Sequence, residues 1–167
     1  IDLGGCAFDP IARTTDPFEG DFDGAGFTIS NFTVSKADGW YQSLFARLDT
    51  GSVSNLTLAN ASISGMNYVG AIAGDMINAA NISNVSLSNV TVSGTGSYVG
   101  GLVGQGQGAS SASEITATNL TVSGDVYVGG LIGWQTDNGG SVSQVTATGL
   151  SVSGECNASG IILQYLN

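Results

Sequence analysis

From Phe27 onward, apolar and small polar residues alternate over short stretches, and the alternation itself recurs. Aligning the chain on Val34, Ile63, Val92, Val122 and Val152 gives steps of 29, 29, 30 and 30 residues. Seven places earlier lies the apolar column Phe27, Leu56, Val85, Ile115 and Val145; five places earlier lie Ile29, Leu58, Leu87, Ala117 and Ala147; two places earlier lie Phe32, Ala61, Val90, Leu120 and Leu150. Small hydroxyls fill the places between, as in Thr28, Thr57, Ser86, Thr116 and Thr146, or Thr33, Ser62, Thr91, Thr121 and Ser151. A period of two predicts strands with one buried and one solvated face. A repeat of this length predicts stacked units, none able to bury its apolar face alone. The expected fold is all-β: a β-solenoid (β-helix) of about five coils of 29–30 residues.

Where the spacing of inward columns changes from two to three, a bend is expected at Asn31, Asn60, Asn89, Asn119 and Gly149, residues that tolerate a left-handed backbone. The second half of each coil carries a strand such as Tyr98-Val99-Gly100-Gly101-Leu102-Val103-Gly104, nearly copied at Tyr127 to Gly133 and more loosely at Tyr68 to Gly74. Two expectations follow from the register. Tyr68, Tyr98 and Tyr127 stack in one column with Trp40 and Asn157 near its ends, and Leu44, Ile72, Leu102, Leu131 and Ile161 form a buried column. Residues 1–26, punctuated by Gly4-Gly5, Asp9-Pro10 and Asp16-Pro17, are expected to form an N-terminal cap, and residues 27–167 the solenoid.

Gly101-Leu102-Val103-Gly104 and Gly130-Leu131-Ile132-Gly133 resemble the core of the GLUG-motif repeats found in bacterial surface proteins. The run from Phe18 to Ile29 is similar to the segment that commonly precedes such repeats, so the resemblance spans about residues 18–163. It implies an extracellular β-solenoid of the kind found in adhesins or in non-catalytic regions flanking surface proteases. It implies no activity by itself, because function resides in sites.

Composition narrows the chemistry. The chain has no histidine, so Ser-His-Asp, Cys-His and His-based zinc arrangements are unavailable, and no catalytic, metal or cofactor site is expected. Asp75, Asp125, Asp137 and Glu155 fall at different points of their coils, which separates the carboxylates that paired-acid hydrolysis needs together. Asp21-Phe22-Asp23-Gly24 lacks the further ligands of a calcium loop and reads as a tight turn. Three basic residues against 13 acidic ones give a net charge of -10, which disfavours nucleic acid and anionic membranes as partners. No apolar run has the roughly 18 residues of a membrane-spanning helix. An opening at Ile1 with no charged and apolar leader reads as a processed or excised segment.

Eight Asn-X-Ser/Thr sequons stand at Asn31, Asn55, Asn60, Asn81, Asn84, Asn89, Asn119 and Asn157. On the bend column they are expected to form either an amide ladder or a row of N-glycans. Cys6 and Cys156 lie near opposite ends, too far apart in a stack for an intramolecular bridge, so the expected bond joins Cys156 of one copy to Cys6 of the next. With the apolar run from Gly160 to Leu166, this favours head-to-tail self-assembly into a filament. The functional expectation is a non-catalytic extracellular or cell-surface structural and adhesive module. The alternative is a monomeric carbohydrate- or ice-binding surface, the latter suggested by Thr116-Ala117-Thr118 and Thr146-Ala147-Thr148.

Overall fold

A computed structural model describes residues 1–136 and 140–164, and all regular structure within them is β-strand. Residues 165–167, the end of the apolar run, and Asp137 lie outside the described residues. Long bent strands at Ser52–Gly65, Asn81–Gly94 and Ser111–Gly129 pair in parallel, with Ser141–Thr148 and Ser151–Ser159 continuing the stack. Val34 pairs with Ile63, Ile63 with Val92, Val92 with Val122 and Val122 with Val152. The period read from the sequence is therefore the physical stacking register. A second parallel sheet, in the spatial order Phe45–Asp49, Ala73–Ile77, Val103–Gly106, Ile132–Gln135 and Ile162–Gln164, closes the coils on the other side.

The space between the sheets is filled by the predicted columns. Leu56, Leu58, Ile63, Val85, Leu87, Val92, Ile115, Leu120 and Val122 are all buried, as are Leu44, Ile72, Leu102 and Leu131. The columns fail at the ends of the stack. Phe27 is 71% exposed, because the turn closed by the Phe27 amide donating to the Gly24 carbonyl sets Gly24 against the Leu56 backbone instead. In coil five Val145 is only half-buried, Ala147 is exposed and Ile161 is 36% exposed, since no described coil lies over them.

The tyrosine-glycine motif is not one strand, as its sequence suggested. Ser97–Gly100 belongs to the large sheet and Val103–Gly106 to the second, and the chain turns at Gly101-Leu102. Glycine is required at the end of this corner: a Cβ on Gly104 would lie 2.6 Å from the Gly74 carbonyl oxygen and 2.8 Å from that of Tyr98, both backbone atoms.

The opening segment lacks the repeat yet follows its path. Asp2 bridges to Ser30, Ala7 to Thr33, Ile11 to Phe45 and Phe18 to Leu48, and Asp21–Asp23 pairs with Ser52–Ser54. It is an irregular extra turn laid on coil one. Phe8 packs on Phe32, and Phe18 and Phe22 on Phe45, at ring separations of 5.1, 4.9 and 5.4 Å, covering the end of the core.

Candidate functional site

Corners of the solenoid place its distinctive side chains. The predicted bend is a left-handed column, with φ of 56, 52, 54, 53 and 67° at Asn31, Asn60, Asn89, Asn119 and Gly149. A second such corner, not read from the sequence, runs through Asn55, Asn84, Glu114 and Gln144. At both corners the side-chain amides bond along the stacking axis. Asn119 Nδ2 donates to Asn89 Oδ1 at 3.0 Å and Asn89 Nδ2 to Asn60 Oδ1 at 3.2 Å. On the second corner Asn84 Nδ2 donates to Asn55 Oδ1 at 2.8 Å.

These ladders are polar, with every NH2 directed toward the opening turn, so their first members must be acceptors. Asp2 accepts from Asn31 at 2.8 Å and Asp23 from Asn55 at 2.9 Å. Those amide bonds, helped by the Gly4 and Ala25 backbone N–H groups, hold both carboxyls below the usual aspartate range. Asp23 is thereby accounted for as a turn residue, and Asp21 accepts from the Ser52 hydroxyl.

The sequons thus differ in kind. Asn31, Asn55, Asn84, Asn89 and Asn119 commit Nδ2, the atom that would carry a glycan, to a neighbour, and Asn60 accepts from Asn89 within the same ladder. The Asn81 Oδ1 is buried without a partner, while Asn157 is exposed on coil five. Cys6 and Cys156 are free and exposed. Cys6 precedes Ala7, which bridges Thr33, and so stands two places before the Val34–Val152 column; Cys156 pairs with Val126, four places after it. Six places along the strands correspond to roughly 20 Å, in addition to their axial separation. Thr116 and Thr118 align with Thr146 and Thr148, and further down with Ser86 and Ser88, on an outer face.

A third left-handed corner holds the tyrosines. Tyr68 stacks on Tyr98 at 4.9 Å and Tyr98 on Tyr127 at 5.3 Å, with interplanar angles of 20° and 11°. Asn157 follows Tyr127 in register, as Ala158 pairs with Val128. At the opening end the ring in the column is Tyr41, 4.5 Å from Tyr68 and within 6° of parallel, with Trp40 tilted beside the pair. Counting back from the leucine column would have found it, since Tyr41 precedes Leu44 much as Tyr98 precedes Leu102. Tyr ring faces cover one another along the stack, whereas Trp40 remains 54% exposed.

Trp40 stands over an open groove of about 390 Å³ between the opening turn and coil one, with Arg13, Lys36 and Asp9 on its walls. Behind it lies a partly buried network. The Arg47 guanidinium pairs with Asp75 at 3.0 Å, donates to the Thr14 carbonyl at 3.2 Å, and sits 5.3 Å from the Tyr41 ring centroid. Asp75 is fully buried, and burial raises its carboxyl above the ordinary value, although Gln107 Nε2 at 3.1 Å and Arg47 oppose the rise. All three cations of the chain therefore gather at one place. The sequence hid this because the groove walls come from non-periodic segments. Among the described residues no group of three or more acidic or cysteine side chains is placed to hold a metal.

Known proteins place this geometry in context. Residues 124–153 match the family described as the GLUG motif. Halomucin of Haloquadratum walsbyi is 42% identical over 95 residues, which is 54% of this chain and 1% of that protein. A protein of Evansella cellulosilytica, provisionally named a Gly-rich membrane protein, is 35% identical over 89 residues, 51% of this chain and 10% of its own length. The chain thus spans a small fraction of these relatives. The crystal structure of a protein from Bacteroides ovatus, provisionally named an immunoglobulin A1 protease, superposes with a TM-score of 0.50 over 99% of this chain and 68% of the other. At 23% identity it shares the fold alone. From the corner glycines and the stacking register, the chain is a β-solenoid, and its segment 124–153 matches the GLUG motif.

Proposed function

We propose that the chain is a non-catalytic structural and adhesive module of an extracellular or cell-surface protein, in which stacked coils supply length and the lateral faces supply contacts. The observation that carries this reading is the continuous in-register stack, which spends its polar residues on ladders along the axis. The GLUG match and the names of the relatives, one a membrane protein, support a surface setting. Should N-glycans be present, Asn157 is the sequon best placed for one, as it is exposed and at the end of its column.

Self-association is the finer part of the proposal. Coil five leaves Val142, Val145, Leu150 and Val152 only half-buried, and among the described residues no strand pairs with its outer edge, which invites a further rung. Seating the opening turn of a second copy there gives a head-to-tail filament. That turn carries Asp2, Asp9, Asp16, Glu19, Asp21 and Asp23 against Arg13 alone, so like-charge repulsion opposes assembly at low ionic strength and salt relieves it. In a copy that continues the register, Cys6 and Cys156 stand apart, so a bond between them would report a copy rotated about the axis. Sedimentation and negative-stain microscopy across a salt series test the idea. Filaments growing with salt are expected; a closed tail-to-tail dimer would replace the head-to-tail arrangement, and a monomer throughout would remove self-association. Non-reducing electrophoresis of the filaments then reads the thiol link directly.

A further inference from the structure

From the groove beside Trp40 we infer a binding site for an acidic saccharide, a sugar ring bearing a carboxylate. Three independent features converge there. Trp40 offers a half-exposed indole, tilted beside the end of a tyrosine stack whose own ring faces cover one another. An indole face suits the apolar C–H surface of a pyranose ring and is insensitive to its charge. Its backbone is fixed from below, where the buried Gln42 donates through Nε2 to the Trp40 carbonyl at 2.8 Å, so the platform is preorganised.

Charge supplies the second feature. In a chain of net charge -10, Arg13 and Lys36 are two of only three cations, and both line this groove. Arg47 behind them is spoken for by Asp75, but neither Arg13 nor Lys36 makes an ion pair among the described residues. Elsewhere the field of the molecule repels an anion, so the groove is where a carboxylate is tolerated. The third feature is Asp9 on the same wall, an acceptor for sugar hydroxyls that a site for a bare anion would not include. A volume of about 390 Å³ lies within the range of small-ligand clefts and leaves the groove open for a chain of sugars to pass through.

This site goes beyond the structural role and does not depend on self-association, because the monomer contains all of it. The experiment is isothermal titration calorimetry of the monomer at low ionic strength with tetragalacturonate, its fully methyl-esterified counterpart, and citrate. Tetragalacturonate is expected to bind at least about tenfold more tightly than the ester, a difference equivalent to one charge-assisted contact. Trp40→Ala should weaken both saccharides about tenfold, while Arg13→Gln with Lys36→Gln should abolish the preference for the acid and leave the ester unaffected. Thermal melts of each variant verify folding, which these exposed side chains do not support. Equal affinity for acid and ester, citrate binding as tightly as the saccharide, or full affinity in Trp40→Ala would each overturn the assignment.

Discussion

The two ends of this solenoid are built from similar residues and fare differently. At the opening end, Val34 is 1% exposed and Leu44 2%, because an irregular turn with three phenylalanines lies over coil one. At coil five the equivalent Val152 is half-buried and Ile161 is 36% exposed. Burial here is conferred by the adjacent coil, not by the residue, as expected when each unit contacts only its neighbours. Polar groups tell the same story: the opening turn ends its ladders on Asp2 and Asp23, whereas Gly149 leaves Asn119 with no amide beyond it.

The sharpest way to break this contrast is to place one carboxylate at equivalent places. Leu102→Asp buries an unpaired charge in the middle of the stack and should cost about 4 kcal/mol or more, abolishing a cooperative melt. Ile161→Asp, at the same place in coil five, should cost less than about 1 kcal/mol, since the side chain already meets solvent. Equal losses in chemical denaturation would mean that coil five is covered in solution.

Next in size is a methyl group at the glycine corners. Gly104→Ala drives its Cβ into backbone atoms of two coils and should destabilise by about 3 kcal/mol. A Cβ on Gly160 meets nothing within 4 Å, so Gly160→Ala should stay within about 0.5 kcal/mol of the parent. Smaller again is Asn89→Ala, which removes a donor and an acceptor from mid-ladder and leaves a left-handed alanine. About 2 kcal/mol is expected, and Asn89→Gly should recover the backbone share of it. A glycine variant no more stable than the alanine one would locate the whole effect in the amide bonds.

Much of this is legible in the sequence. The valine register, the Asn31–Gly149 corner and the Tyr68–Tyr127 stack follow from spacing alone, because identical geometry at each rung selects similar residues. The second corner was missed because its occupants change from Asn55 and Asn84 to Glu114 and Gln144, so no single residue type marks it. The opening turn shows no repeat in its sequence, since its Gly-Gly and Asp-Pro turns erase the alternation, although its bridges follow the same path. Trp40's groove was invisible for a related reason: Arg13 and Lys36 are brought together by that irregular turn and by coil one, which has its own local sequence.

Acid titration separates the two settings with the smallest effect. Asp2 and Asp23 have folded pKa values below 3.8, caused first by the Asn31 and Asn55 amides, so their contribution is present above the unfolded value and is lost as pH falls through the folded ones. Asp75 runs the other way. Burial raises its folded pKa above 3.8, so the native chain takes up this proton before the unfolded chain does, and the resulting stabilisation is lost as pH rises through the folded value. Melting temperature should therefore rise modestly on acidification from neutral pH toward about 4 and fall below it. Asp75→Asn keeps a side chain that can accept from Gln107 and Arg47 but cannot titrate, so it should flatten the upper limb and spare the lower one. Asp2→Asn with Asp23→Asn should do the reverse. An upper limb that persists in Asp75→Asn would assign it to another group, the outcome expected if the Arg47 pair, at 3.0 Å, outweighs desolvation and keeps the buried carboxylate charged throughout.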